Sequence, residues 1–274
     1  KLGNTRVQGG YGVTALRNLA VQTDAAQSNQ MGNPVAHTIG AFRREGVRID
    51  YALGGGWMVS GGASGNRQNS AGVSATSTAV GTPAGEFRQG KGFTYGLQYT
   101  QGPINAGYFR DEVTAQSPQL AADTDYKNTP FGYGNNASAA AANTTKKTDL
   151  LAGSYDAGVA KLYGQYYSQT AVLNDGTDTG VGAGKIQGTS VGVRVPVGKA
   201  TFYVQSLGLK DKQYVTAGTA EDRKWSGSSM GVRYDVSKRT YAYVNTGSLK
   251  KDASTAGSDS TKYTQTALGL VHSF

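Results

Sequence analysis

Residues 93–109 read FTYGLQYTQGPINAGYF, and this stretch decides the fold. Before the turn at Gly102-Pro103, aromatic and aliphatic side chains alternate with small or polar ones, and a second such run follows from Ile104 to Phe109. Alternation with a period of two places successive side chains on opposite faces of a β-strand, and Gly and Pro supply the backbone angles of a tight turn. The stretch therefore predicts a β-hairpin.

The same unit recurs along the chain from Gly46 to Phe274, as a strand, a very short turn, a second strand and a long polar loop. The segments Gly192–Val204 and Gly231–Tyr243 also resemble each other. A repeated hairpin of this kind predicts an antiparallel meander. We expect eleven strands between residues 46 and 274.

The loop lengths and the hydropathy predict that this meander is a transmembrane β-barrel. Short turns alternate with long loops, as in outer-membrane barrels, whereas a soluble sandwich mixes its loop lengths. The mean hydropathy is −0.43, and no run of 18 apolar residues occurs, which excludes a transmembrane helix. A barrel is not excluded, because its strands alternate lipid-facing apolar with lumen-facing polar residues. The predicted fold class is all-β, a transmembrane antiparallel meander β-barrel.

The rarity of reactive side chains disfavours an enzyme or a metalloprotein. The chain has no Cys, and its two histidines, His37 and His272, lie far apart in the sequence. Without Cys and with only two His, the chain cannot form thiolate or His-rich metal sites, and it has few residues that could pair a nucleophile with a base. We therefore predict no catalytic residues, no metal and no cofactor.

The charge of the chain points to anionic solutes rather than to nucleic acid. The net charge is +9, but the basic residues are spread along the chain without a run of five Lys or Arg. A nucleic-acid-binding surface concentrates such charge in a patch or stripe. We expect a basic lumen that favours anions, and no nucleic-acid partner.

Strand parity sorts the charges between the two faces. In residues 47–53, Val, Ile, Tyr and Leu share the face predicted to meet lipid, and Arg48 and Asp50 share the other. A strand that tilts by about 45° gains ~2.3 Å of height per residue. Arg48 is six residues from its turn, about 14 Å up, near mid-height of a ~25 Å apolar band. The predicted lining of the pore is Arg17, Arg43 and Arg44 from a loop, with Arg48, Asp50, Lys161, Arg194 and Arg233 from strands.

Two interpretations of these charges stay open. As a basic ladder, the arginines would attract small anions and speed their passage, because rings of Arg and Lys select anions and a channel focuses the field. Alternatively, they pair with acids such as Asp24 and Asp50 and leave weak selectivity. The two tryptophans also have two possible interpretations. Trp57 and Trp225 are predicted to be aromatic residues at the membrane interface, and the alternative is that both are ordinary core residues.

Two motifs resemble the trimeric general porins of Gram-negative outer membranes, specifically the β-proteobacterial type. One is VRYDVSKRTYAY (residues 232–243), in which Val236 stands where that family has Leu, and the other is the terminal ALGLVHSF (residues 267–274). The resemblance covers about residues 46–274. It implies that Leu268, Leu270, His272 and Phe274 form the signal that the barrel-assembly machinery binds.

The resemblance also implies an architecture and partners. The family has sixteen strands per monomer, three monomers per assembly and a third external loop folded into the lumen. We expect one barrel domain over residues 1–274, with residues 1–5 as the end of a strand, residues 6–45 as the constriction loop and residues 46–274 as the eleven strands. The first strands of the family's barrel would then be missing. The implied partners are a homotrimer, outer-membrane lipid and lipopolysaccharide, and small anionic or hydrophilic solutes.

The resulting expectation is a passive outer-membrane pore, with other functions left open. An adhesin or receptor barrel would bind partners through its long loops, at residues 67–90 and 114–146. A barrel enzyme would need a nucleophile and a base. A soluble secreted β-protein would not need detergent for extraction.

Overall fold

The structure is a computed structural model, and it describes residues 3–26, 43–68, 88–115, 144–173, 184–214, 220–252 and 260–273. Twelve strands and one short helix make up these ranges. The strands are β1 (Thr5–Val13), β2 (Arg43–Gly54), β3 (Trp57–Gln68), β4 (Arg88–Gln101), β5 (Ile104–Ala115), β6 (Thr144–Asp156), β7 (Lys161–Leu173), β8 (Gly184–Val197), β9 (Ala200–Tyr214), β10 (Ala220–Asp235), β11 (Thr240–Lys251) and β12 (Thr261–His272), and the helix is α1 (Ala15–Gln22).

All twelve strands belong to one antiparallel sheet in which each strand pairs with its sequence neighbours. This order is the predicted meander, and the fold prediction is confirmed. The β2–β3 turn illustrates why glycine marks the turns, since Gly54, Gly55 and Gly56 have φ values of 94°, 57° and 86°. Only glycine adopts such angles without strain. Among the described residues, no helix has the length and apolar character needed to cross a membrane.

The two faces of the sheet have the compositions that strand parity predicts. On β2, Val47, Ile49 and Tyr51 are 44–51% exposed on the outer face. Asp50, between them in sequence, is 5% exposed on the inner face. An apolar face left open to the surroundings and a polar face turned inward suit lipid outside and water inside.

The first predicted boundary is wrong. The strand expected to end at Thr5 extends to Val13 and pairs in register with β2, from Thr5 opposite Tyr51 to Val13 opposite Arg43. Residues 6–13 and 43–45 are therefore strand rather than loop. Residues 14–42 separate the two strands, and of these the structure describes residues 14–26.

Helix α1 packs against the inner face of the sheet. The hydroxyl of Thr14 caps its N-terminus by accepting a hydrogen bond from the Arg17 N–H at 3.4 Å. Leu16 and Leu19 are fully buried. They belong to a cluster of buried apolar side chains that extends along the inner wall from β5 to β11. The wall members of this inner apolar cluster are Phe109, Leu150, Ala152, Tyr167, Leu207, Leu209, Trp225 and Leu249.

Candidate pore constriction

The segment 14–26 lies along the inner wall and fills part of the space that the sheet encloses. Its helix contacts β3, β4, β5 and β6. Leu16 and Leu19 turn towards the wall, whereas Asn18 is partly exposed. Gln22 is exposed at the end of the helix, and its Oε1 accepts a hydrogen bond from Gln98 Nε2 of β4 at 2.9 Å. A helix with an apolar face on the wall and a polar face on the enclosed space narrows that space without making it apolar.

Two glycines let this segment approach the wall. A Cβ atom at Gly107 of β5 would lie 3.1 Å from Leu19 Cδ2 and 2.8 Å from the Leu97 carbonyl oxygen. A Cβ atom at Gly192 of β8 would lie 2.6 Å from Ala25 Cβ. A side chain at position 192 would therefore collide with Ala25, and one at position 107 would require the Leu19 side chain to shift by a few tenths of an ångström.

Polar contacts hold the C-terminal end of the segment. Gln165 Nε2 of β7 donates to the Ala20 carbonyl oxygen at 2.6 Å and to Thr23 Oγ1 at 2.9 Å. The Ala26 N–H donates to Gln205 Oε1 of β9 at 3.0 Å. Because Gln165, Thr23 and Gln205 are all at most 5% exposed, these hydrogen bonds are shielded from water, and breaking one leaves a buried group unpaired.

Arg48 and Asp50 form a pair on one side of α1. Arg48 Nε donates to Asp50 Oδ1 at 2.7 Å, and Ser60 Oγ donates to the same oxygen at 2.6 Å. The Arg48 side chain is 15% exposed, and its Nη1 is buried without a hydrogen-bond partner. It lines a cavity of about 370 Å³ between β1–β4 and the start of the helix, which Thr14 and Asn18 also line.

A second basic group lies on the other side, at the turn ends of β7, β8 and β10. Lys161 is directly opposite Arg194 in the strand register. Arg194 Nε donates to the Ala25 carbonyl oxygen at 2.5 Å. Arg233 pairs with Asp235 at 2.7 Å and lies 3.9 Å from the centre of the Tyr241 ring. Of these three basic side chains, only Arg233 has a carboxylate in salt-bridge contact within the described residues.

This geometry is what a pore lining needs: an inner wall that carries polar side chains beside its apolar cluster, a segment that narrows the enclosed space, and basic side chains on both sides of that segment. A comparison with family models then gives a match to the Gram-negative porin model over residues 18–254. The chain belongs to the Gram-negative porin family. The prediction of a porin of the Gram-negative outer membrane is thereby confirmed.

Solved structures show the same fold at low sequence identity. The in-vitro folded form of OmpT, an outer membrane protein of Vibrio cholerae, has a TM-score of 0.67 at 14% identity, covering 98% of this chain and 76% of that chain. Its loop L8 deletion mutant has a TM-score of 0.67 at 14% identity, covering 99% and 76%. Its trimer form has a TM-score of 0.66 at 14% identity, covering 98% and 76%. No match is found among curated protein sequences.

The predicted pore residues of this porin lie in four places. Arg48 and Asp50 lie on the inner wall, and Lys161, Arg194 and Arg233 lie at the turn ends. Arg17 is on α1 and half-buried. Arg43 and Arg44 were predicted to come from a loop, and this is wrong, because both belong to β2 and pair with Val13 and Gly12. Their side chains lie outside what the structure describes.

The interface prediction for Trp225 is also wrong. Its side chain is 4% exposed and belongs to the inner apolar cluster. Strand parity explains this, because Trp225 shares the inner face of β10 with Ser229 and Arg233. Trp57 is 44% exposed on the outer face just after a turn, with its ring centre 4.8 Å from that of Tyr99.

Residues of the predicted assembly signal lie on the last strand. Leu268 and Leu270 are 82% and 68% exposed on the outer face of β12. His272 Nδ1 shares a hydrogen bond of 2.8 Å with Thr240 Oγ1. Phe274 is outside the described residues, as is most of the two long loops in which an adhesin would bind its partner. Among the described residues, no group of His, Asp or Glu side chains is placed to hold a metal ion.

Sequence reasoning missed the residues that dock the constriction segment, namely Gln165, Gln205, Gly107 and Gly192. The alternation of each strand does predict that Gln165 and Gln205 point inward. It does not predict what they bind, because a hydrogen-bond partner such as Ala20 is 145 residues away from Gln165 in the sequence.

Proposed function

We propose that this porin forms a water-filled channel for the passive diffusion of small hydrophilic solutes, with a modest preference for anions. The observation that carries the proposal is the docking of segment 14–26 against the inner wall, with Leu16 and Leu19 on the inner apolar cluster and Asn18 partly exposed to the enclosed space. Such a segment limits the size of a solute that can pass.

The anion preference is supported by Lys161 and Arg194. They are neighbours in register, and Arg194 Nε donates to the Ala25 carbonyl oxygen. Asp24 near Arg194 and Asp156 opposite Lys161 offset part of this positive charge. The preference is modest because Asp50 and Asp235 are bonded to Arg48 and Arg233. Pairing reduces the local positive field, and a focused field is what raises the concentration of anions in a channel.

Assembly and insertion belong to the same proposal. A solved relative of this fold, OmpT, exists in a trimer form, and we propose a homotrimer for this chain. The outward leucines of β12, Leu268 and Leu270, support a role of the terminal strand as the signal for the barrel-assembly machinery. Lipid surrounds the apolar outer face.

The test is a planar-bilayer measurement on the full-length, detergent-extracted protein, with the reversal potential recorded across a KCl gradient. We expect stepwise conductance and a reversal potential on the anion-selective side. Stepwise conductance with a cation-selective potential would overturn the anion preference and leave the channel intact. An absence of channels in a correctly folded preparation would overturn the proposed function as a whole.

A further inference from the structure

The cavity of about 370 Å³ between β1–β4 and the start of α1 has a floor without side chains. This floor consists of glycines at inward positions of three successive strands, namely Gly10 of β1, Gly46 of β2 and Gly62 of β3. Gly10 is directly opposite Gly46, and Gly62 is opposite Arg48, the next inward residue after Gly46. We call these three residues the glycine floor.

The space above the glycine floor is not filled by neighbouring side chains. At several other inward glycines, a Cβ atom would collide within 3.0 Å with a side chain that already occupies the space, namely Phe109 over Gly96, Tyr167 over Gly188, Leu249 over Gly227, Tyr203 over Gly231 and Tyr243 over Gly269. By contrast, a Cβ atom at Gly10 would meet nothing within 4 Å, and the atom nearest to one at Gly62 is the Val47 carbonyl oxygen at 3.3 Å. Glycines in a strand allow a ligand to approach the backbone closely, and here that approach is open.

Hydrogen-bond donors and acceptors surround the glycine floor. Gln8 and Asn18 contribute amide groups to the lining of the cavity, and Ser64 and Thr94 contribute hydroxyl groups. Amides and hydroxyls both donate and accept. Arg48 adds a donor, because its Nη1 is buried without a hydrogen-bond partner, and buried polar atoms in proteins are normally paired. The cavity therefore presents mixed donors and acceptors to whatever enters it.

The charge at the cavity favours a neutral ligand over an anion. Arg48 is the only ionised side chain among the described residues that line the cavity, and its Nε lies 2.7 Å from Asp50 Oδ1. An anion beside Arg48 would also approach this carboxylate, which repels it. A neutral molecule with several hydroxyl groups meets no such repulsion, and each hydroxyl can both donate and accept. Arg44 follows at the next inward position of β2, with its side chain outside the described part of the chain, so an anionic solute belongs in the test.

The size of the cavity suits a compact ring. Pockets that bind small molecules have volumes of about 300–1,000 Å³, and the cavity of about 370 Å³ is at the lower end of this range. A monosaccharide is a compact ring of this kind, and one of its faces carries C–H groups. Such a face can lie in van der Waals contact with backbone atoms where no side chain intervenes.

We propose that this cavity is a binding site for a neutral monosaccharide beside the constriction segment. The sugar ring lies on the glycine floor, and its hydroxyls bind Asn18 and Arg48 Nη1. This inference rests on the proposed function, because the sugar reaches the cavity through the channel. Binding at such a site must be weak enough for the solute to leave again, as passage through a channel requires.

The experiment measures the ion current through the full-length protein in a planar bilayer while D-glucose is added. Dissolved sugar lowers the current in proportion to the bulk conductivity, which is measured separately, and a bound sugar lowers the current further in a saturable manner. Sucrose tests the limit of size, and gluconate at constant ionic strength tests the effect of a negative charge. We expect saturation with glucose and weaker binding of both sucrose and gluconate.

Two variants remove different parts of the site. Asn18→Leu replaces the amide with an apolar side chain of similar size, and it should raise the half-saturating concentration of glucose about tenfold, which corresponds to the loss of one or two hydrogen bonds. Gly62→Val fills the space above the glycine floor and should abolish saturation while the channel still conducts. Gly208→Val is the matched control on the outer face of β9, where a Cβ atom would meet only Thr189 Oγ1, at 3.8 Å. It should bind glucose as the unaltered protein does.

The opposing results are distinguishable from one another. Channels whose current falls only with the bulk conductivity would overturn the sugar site and leave the proposed channel intact, whereas an absence of channels would overturn both. Tighter binding of gluconate than of glucose would show that an uncompensated cation such as Arg44 dominates the cavity, and it would overturn the neutral ligand. Equal effects of Gly62→Val and Gly208→Val would place any bound sugar elsewhere and would overturn the site.

Discussion

Leu19 of the constriction helix lies over Gly107 of β5 so closely that its Cδ2 atom would be 3.1 Å from a Cβ atom at that position. The lack of a side chain at position 107 lets the helix pack directly against β5, and this contributes to how much of the enclosed space the helix leaves open. The position of α1 therefore depends on the lack of a side chain at Gly107 as well as on the buried side chains of Leu16 and Leu19.

Gly107→Val is expected to lower the single-channel conductance. The added side chain pushes α1 away from the wall towards the enclosed space, and overpacking of this kind costs about 1–3 kcal/mol. The double variant Gly107→Val/Leu19→Ala should recover much of the conductance, because the leucine that the valine meets has been removed.

Gly164→Val is the control for this substitution, because a Cβ atom at Gly164 meets nothing within 4 Å. Its conductance should equal that of the unaltered porin. If the double variant conducts no better than Gly107→Val alone, the contact with the Leu97 carbonyl oxygen dominates and the helix does not set the conductance.

Gln165→Leu is expected to loosen segment 14–26 without unfolding the barrel. The substitution removes the hydrogen bonds to Ala20 and Thr23, and it leaves buried acceptors unpaired at about 1–3 kcal/mol. Amide hydrogen exchange within α1 should accelerate by roughly tenfold or more. The measurement is hydrogen exchange resolved on peptides that cover residues 14–26.

Gln169→Leu gives the matched comparison. Gln169 is on the same strand and the same face, but its Nε2 donates to Thr148 Oγ1 of β6 at 3.0 Å rather than to the constriction segment. Exchange within α1 should be unchanged in this variant. Similar acceleration in both variants would indicate a general weakening of the wall instead of a released segment.

The sequence predicts the sheet well because the information is local. Period-two alternation assigns Val47 and Asp50 to opposite faces within a few residues of chain, and the short turns make neighbours of consecutive strands. The strand β1 escaped prediction beyond Thr5 because Gly9, Gly10 and Gly12 weaken its strand pattern. Its partner β2 is also separated from it by residues 14–42, so no tight turn signals the pairing.

The site is harder to predict than the sheet, because it depends on contacts between distant parts of the chain. Trp225 and Leu249 lie on the inner face, where a water-filled barrel is expected to be polar. Nothing in the sequence around either residue indicates that it belongs to an apolar cluster. Parity alone places Trp225 inside, alongside Arg233 and Ser229. The expectation that tryptophans form an aromatic girdle at the membrane interface wrongly placed Trp225 on the outer face.

The two tryptophans should respond differently to a quencher placed in the membrane. Trp225→Phe leaves Trp57, which is 44% exposed on the outer face, whereas Trp57→Phe leaves Trp225, which is 4% exposed inside. In vesicles with brominated acyl chains, we expect strong quenching of the fluorescence from Trp57 and little from Trp225. Equal quenching in the two variants would contradict the inward position of Trp225.

Arg48 and Asp50 provide a reciprocal test of the lumen charge, because each is the partner of the other at 2.7 Å. Arg48→Gln leaves a carboxylate without its cation and should shift the reversal potential towards cations. Asp50→Asn leaves a guanidinium without its anion and should shift it towards anions. Because a narrow channel focuses the electric field, a single charge has a measurable effect on ion selectivity. We therefore expect the two variants to shift the reversal potential in opposite directions and by similar amounts. The double variant should return close to the unaltered value, because the pair contributes almost no net charge. If both single variants keep the original reversal potential, this pair lies outside the path of the ions, and the selectivity must come from the turn-end group of Lys161 and Arg194.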